Sequence, residues 1–158
     1  MLQRIQSVYL AIVAIACILL FFFPLATYYH ELLGNYQFFV YGITCMDPET
    51  KVHFNALFTL PLIILVAISF ILTIFTIFLY KKRLLQIRLC SINVLVNIIL
   101  IMVIFFFYAA KIKTMTQIEP EYNYAGIIMP LISLIFLILA SRAIRKDETL
   151  VKSSDRLR

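Results

Sequence analysis

Residues 54–80 read FNALFTLPLIILVAISFILTIFTIFLY, twenty-seven residues without one Asp, Glu, Lys or Arg. A helix rises about 1.5 Å per residue, so roughly 20 apolar residues cover about 30 Å of hydrocarbon. This run is long enough. Working outward from it, residues 5–30, 89–110 and 122–141 are also free of charge over 26, 22 and 20 residues. Four such runs predict an all-α membrane protein, a four-helix transmembrane bundle with spans at about 6–28, 55–80, 88–110 and 123–144. External loops then fall at 29–54 and 111–122, with a cytoplasmic tail at 145–158.

Composition agrees. Hydrophobic residues make up 63% of the 158 and charged residues 14%, against about a quarter charged in a typical soluble domain. A soluble chain of this size could not bury so much apolar surface. No polar segment is long enough for a separate soluble domain, so residues 1–158 read as a single integral membrane domain.

The remaining charges are sorted. Arg4, then Lys81, Lys82, Arg83 and Arg88, then Arg142, Arg145, Lys146, Lys152, Arg156 and Arg158 place eleven bases on one side. Only Lys51, Lys111 and Lys113 lie on the other. The positive-inside rule puts both termini and the 81–88 turn in the cytoplasm. The net charge of +6 therefore reflects topology and attraction to anionic lipid, and predicts no nucleic-acid partner. The first run is too long for a signal-peptide core, and Phe23-Pro24-Leu25-Ala26 lacks a small–x–small cleavage pattern. It is expected to stay as an uncleaved span.

In the first external loop, Tyr36–Thr44 is rich in aromatic and β-branched residues and reads as a strand. Asp47-Pro48-Glu49-Thr50 reads as a turn and Lys51–Phe54 as a short returning strand, giving a small extracytoplasmic β-ribbon. Pro24, Pro61 and Pro130 are expected to end, start or kink helices. Gly126 stands isolated, with no small-xxx-small partner to mark a dimer face.

Candidate sites are few. No span carries an ionisable side chain in its middle, which argues against a proton relay or voltage sensor. Ser91, Asn93 and Asn97 form the most polar intramembrane cluster, and Asn93 and Asn97, four apart, share a helix face. That cluster reads either as interhelical hydrogen bonding or as a polar seam for a small solute or lipid headgroup. Thr59, Ser69, Thr73 and Thr76 are expected to bond their own helix backbone. No Ser–His–Asp, Cys–His or H-E-x-x-H arrangement and no phosphate loop is present, so no enzyme activity and no catalytic residue is expected. His30 and His53 lack ligand companions, Cys17 and Cys90 lie in or beside spans, and Cys45 is external; no metal, cofactor or disulfide framework is predicted.

The tail carries a seven-residue apolar rhythm: Ala143, Leu150 and Leu157, with Ile144 and Val151 beside them. That spacing predicts a helix continuing out of the fourth span. Arg142, Arg145, Lys146, Leu150, Val151, Arg156 and Leu157 are the candidate docking residues for a cytoplasmic partner; the alternative is a helix lying at lipid headgroups.

The opening Met1-Leu2-Gln3-Arg4-Ile5-Gln6-Ser7-Val8-Tyr9-Leu10, the Phe21-Phe22-Phe23-Pro24-Leu25 stretch, and the ending Arg142-Ala143-Ile144-Arg145-Lys146-Asp147-Glu148 … Asp155-Arg156-Leu157-Arg158 carry a resemblance. Together they resemble a bacterial family of small four-span inner-membrane proteins classed as a domain of unknown function. The resemblance implies a bacterial inner membrane and supplies no activity. The resulting expectation is a non-enzymatic accessory or scaffold subunit of a membrane complex. Its partners are the lipid bilayer and another membrane protein, or a cytoplasmic protein held by the tail. The alternative is a small-molecule or lipid carrier using the Asn93/Asn97 face.

Overall fold

The computed structural model describes residues 2–29, 35–46, 56–80 and 82–156. The chain runs α1 (Leu2–Leu19), β1 (Ala26–Tyr28), β2 (Tyr36–Phe39), β3 (Gly42–Cys45), a 3₁₀ turn (Ala56–Phe58) and α2 (Leu60–Phe78). Next come α3 (Arg83–Met102), a π-helical segment (Val103–Tyr108), α4 (Ala109–Thr116), β4 (Glu121–Tyr122) and α5 (Tyr124–Arg156). Helix α1 packs on α2 and α5, and α3 packs on α2 and α5, so the four form a closed ring in the order α1–α2–α3–α5.

Each helix buries one narrow stripe. Apart from Ala14 and Ala16, which α1 also buries, the buried positions are 6, 10, 13, 17 and 20 on α1 and just after it; 62, 66, 69, 73 and 76 on α2; 86, 90, 93, 97 and 100 on α3; and 126, 130, 133, 137, 140 and 144 on α5. Steps of four and three alternate throughout, giving the 3.5-residue period of left-handed coiled bundles. What the stripes contain is unusual for a soluble protein. Helix α2 buries Ser69, Thr73 and Thr76 while Ile64, Ile68, Ile71, Phe75 and Phe78 are exposed. A soluble amphipathic helix does the reverse. Three helices, Leu60–Phe78, Arg83–Thr116 and Tyr124–Val151, are long and apolar enough to cross a membrane, and Ile5–Leu19 is a shorter apolar one. The fold is compatible with a multi-pass membrane protein.

The expected span at 6–28 is not one helix. Proline has no N–H and pushes the residue before it out of the helical region, so Pro24 forces the helix to stop early. Helix α1 ends at Leu19, and tighter bonds from Phe21 N to Ile18 O (3.1 Å) and Phe22 N to Leu19 O (2.9 Å) close it. The chain then enters β1, whose three residues are all buried. The third helix also differs: it starts at Arg83 and runs through the π segment and α4 to Thr116. Gln117, at φ 59°, ends it in the left-handed region, with its N–H on Lys113 O at 2.8 Å.

The ribbon in the first loop is part of a larger sheet. Tyr36–Thr44 is a hairpin rather than one strand, with β2 and β3 joined through Val40 and Tyr41. Val40 is fully buried, and packing sets this turn where the sequence offers only β-forming residues. Strand β2 pairs antiparallel with β1, and β1 with β4, giving the order β3-β2-β1-β4. Lys51–Phe54, expected as the second ribbon strand, lies outside the described residues. The sheet sits on the bundle end through Phe38, which stacks on Tyr108 at 5.5 Å; Phe58 meets the same ring edge-on at 5.2 Å. Tyr108 Oη donates to Phe58 O at 2.8 Å.

The tail helix is continuous with α5, as the seven-residue rhythm predicts. Ile144 belongs to the core, and Gln6 Nε2 donates to Ala143 O at 3.3 Å, clasping α5 to α1. Arg83 meets the Asp147 carboxylate at 3.6 Å and ties α3 to the next turn. Leu150 and Val151 are exposed.

Candidate functional site: a buried polar layer and a basic groove

Every helix of the ring contributes to one polar layer. Asn93 on α3 faces Ser69 and Thr73 on α2 because its stripe position points inward, as theirs do. Ser69 Oγ donates to Asn93 Oδ1 at 2.8 Å; Asn93 Nδ2 donates to Thr73 Oγ1 at 2.8 Å and to Ser69 O at 3.2 Å. One turn on, Asn97 Nδ2 donates to Ser133 Oγ on α5 at 2.9 Å and reaches Ser69 Oγ at 3.5 Å. Cys17 Sγ on α1 lies 3.9 Å from Ser69 Oγ. All six side chains are buried. Among the described residues, Asn97 Oδ1 has no hydrogen-bond donor.

Such a layer matches donors to acceptors across four helices in a medium that offers no replacement. Each interhelical bond contributes about 0.6 kcal/mol on average in comparable membrane proteins. Its stronger effect is on register: a helix slipped by one residue would bury Ile92 or Ile98 here and leave the amides facing apolar surroundings. Thr73 and Thr76 also bond back to Ser69 O and Leu72 O, as expected of such residues. Ser69 does not, and bonds across instead. Ser133 was not anticipated, although a serine inside Leu131–Leu134 is itself the signal.

Ser91 does not join the amides. Two residues along a helix turn about 200°, so Ser91 and Asn93 face nearly opposite ways. Ser91 Oγ donates to Ile87 O at 3.0 Å and accepts from Arg145 Nη2 at 3.3 Å. With Arg142, Arg145 and Ser141 it borders a groove of about 370 Å³ between α3 and α5, floored by Val94, Leu95 and Ile138. The sequence-predicted residues thus separate: Asn93 and Asn97 lie inside the ring, and Ser91, Arg142 and Arg145 lie on its surface. Lys146, Leu150 and Val151 are exposed farther along α5. Arg156 ends that helix, and Leu157 lies outside the described residues.

Under the sheet, Tyr28 is fully buried, and its Oη has no partner among the described residues. Burial, with a smaller contribution from Tyr122, holds its phenol above the ordinary range. Among the described residues no three His, Cys, Asp or Glu side chains converge as a metal site would require. These features define a small apolar helical bundle, capped by a sheet and locked by internal amides. Residues 2–157 match a domain of unknown function, DUF4293, and the chain belongs to that family. No curated protein and no solved structure matches the chain.

Proposed function

We propose that this protein is a non-enzymatic accessory or scaffold subunit of a membrane complex. It spans a bacterial inner membrane with four helical segments and keeps both termini in the cytoplasm. The observation that carries this reading is the exterior of the helices: large apolar side chains cover the outside, while hydroxyls and amides bond one another inside, among apolar core residues. An apolar exterior suits lipid and neighbouring membrane proteins. A carrier working through Asn93 and Asn97 needs a cavity that reaches them; both are fully buried and hydrogen-bonded, and the α3/α5 groove stops short of them. The orientation is supported by the eleven-to-three sorting of bases.

Extraction from native membranes in a mild detergent, followed by mass spectrometry, tests the scaffold role. A stoichiometric membrane partner is expected, and it should be released by Leu150→Ser/Val151→Ser if the exposed tail face holds it. A chain recovered alone, which on reconstitution moves solutes and loses that flux in Asn93→Leu/Asn97→Leu, would reverse the choice in favour of the carrier.

A further inference from the structure

We propose that the groove between α3 and α5 is a binding site for an anionic phospholipid. Its phosphate sits at Arg142 and Arg145, and one acyl chain lies along Val94, Leu95 and Ile138. The inference rests on the membrane reading above and assigns a ligand to a surface distinct from the Asn93/Asn97 layer.

Polarity along the groove is graded like a lipid. Along α3, Val94 and Leu95 come one turn after Ser91, and along α5, Ile138 comes one turn before Ser141 and Arg142 with Arg145 beyond. The apolar lining therefore lies toward the middle of the helices and the two guanidinium groups toward their cytoplasmic ends. Arg142 and Arg145 are three apart, so they share a helix face and can converge on one anion. Neither forms an ion pair with a carboxylate among the described residues, whereas nearby Arg83 is taken by Asp147. Arg145 is steered into the groove by Ser91, which accepts from its Nη2 at 3.3 Å. Arginine presents a planar fork of donors suited to phosphate oxygens.

Depth agrees. Counting along α5 from Tyr124, Arg142 lies about 27 Å and Arg145 about 32 Å away, where a hydrocarbon layer of about 30 Å gives way to headgroups. A basic pocket between membrane helices at that level is the setting in which anionic headgroups are recognised. Leu95, 60% exposed on the groove floor, would otherwise face loosely packed lipid; an ordered chain covers it.

The full-length protein is first tested for retention in membranes under alkaline extraction. Loss at that step refutes the membrane reading itself. Retained protein is purified in a maltoside detergent, stripped of lipid and titrated with phosphatidylglycerol or phosphatidylcholine by native mass spectrometry. Phosphatidylglycerol should bind more tightly, and Arg142→Gln/Arg145→Gln should weaken it by about tenfold or more while leaving phosphatidylcholine unchanged. Leu95→Trp keeps both charges and blocks the floor, so it should weaken phosphatidylglycerol too. Lys82→Gln, which removes an exposed charge outside the groove, should have little effect. Soluble glycerol 3-phosphate should compete poorly; full competition would mean a free-phosphate site and overturn the lipid assignment. Equal binding of the two lipids, or equal losses in Lys82→Gln and the arginine pair, would overturn the site.

Discussion

Replacing Gly126 by alanine sets two physical effects of opposite sign against each other. Gly126 lies in the first turn of α5, where alanine is intrinsically favoured over glycine by about 1 kcal/mol. Propensity alone therefore predicts stabilisation. The packing predicts the reverse. A Cβ at Gly126 would collide with Pro24 O and stand 2.8 Å from Leu25 Cα, whereas ordinary contact begins at 3.4 Å. The obstacles are backbone atoms, which no rotamer change can clear. They are also pinned: Leu25 N donates to Phe38 O at 2.7 Å, and Asn123 N donates to Leu25 O at 3.2 Å. Opening the contact by an ångström would strain both bonds and the start of β1. Overpacking of this kind costs about 1–3 kcal/mol, and the loss of one backbone bond about 1 kcal/mol more. The net expectation, after the propensity gain, is a destabilisation of about 1–3 kcal/mol. At about 2–4 °C per kcal/mol for a chain of this size, Tm should fall by roughly 2–12 °C. Gly42→Ala is the control, because nothing lies within 4 Å of its Cβ; its Tm should stay within about 2 °C. Thermal unfolding of both variants in the same detergent measures this. An unchanged or raised Tm for Gly126→Ala would refute the close approach of α5 to the Pro24–Leu25 backbone.

Other substitutions probe other parts of the bundle. Asn93→Leu removes the acceptor of Ser69 Oγ and one donor to Thr73 Oγ1, which keeps its bond to Ser69 O, and should cost about 1–3 kcal/mol, read as loss of thermal stability; Ser91→Ala, on the outer surface, should cost much less. Gln117→Gly relieves a left-handed residue that bears a Cβ and should raise stability by about 0.5–1 kcal/mol in the same assay. For Tyr28, burial raises the phenol pKa in the folded state, so its contribution is complete below the ordinary value of 10.0 and is lost as pH rises above it. Tyr28→Phe should flatten the decline of Tm above that pH and cost little below it, since the hydroxyl has no partner among the described residues. A membrane-impermeant maleimide should label exposed Cys45 readily and buried Cys17 and Cys90 only after denaturation; labelling of Cys45 from the cytoplasmic side alone would reverse the proposed orientation.

The helical part of this fold was legible because lipid-compatible helices must be long, apolar and free of charge. The sheet was not, because its determinants are non-local. Strand β1 hides in an apolar run that hydropathy reads as helix, and only Pro24 hints that the helix cannot continue. Strand β4 is two residues long, and its pairing of Ala26 with Tyr122 and Thr27 with Glu121 leaves no periodic trace. Asn93 and Asn97 were visible as polar residues in an apolar helix, and their spacing placed them together. Ser91 was grouped with them by proximity in sequence, and helical geometry separates it. The stripe of buried positions was also readable: Gln6, Leu10, Val13 and Cys17 keep the same four-three rhythm as Ser69, Thr73 and Thr76. It escapes a search for apolar periodicity because polar and apolar residues share it.

The pairing of β1 with β4 has a consequence for biosynthesis. The segment after the first helix and the segment before the last are neighbours in one sheet, and α1 and α5 are neighbours in the ring. A nascent chain therefore emerges with one edge of β1 unmet until Glu121 and Tyr122 have been made. The pairing that closes it joins Thr27 to Glu121 in a single non-local step, the kind that is intrinsically slow. Until then the open edge offers unpaired backbone groups to any other extended strand. A chain cut short before residue 120 would be left in that condition permanently.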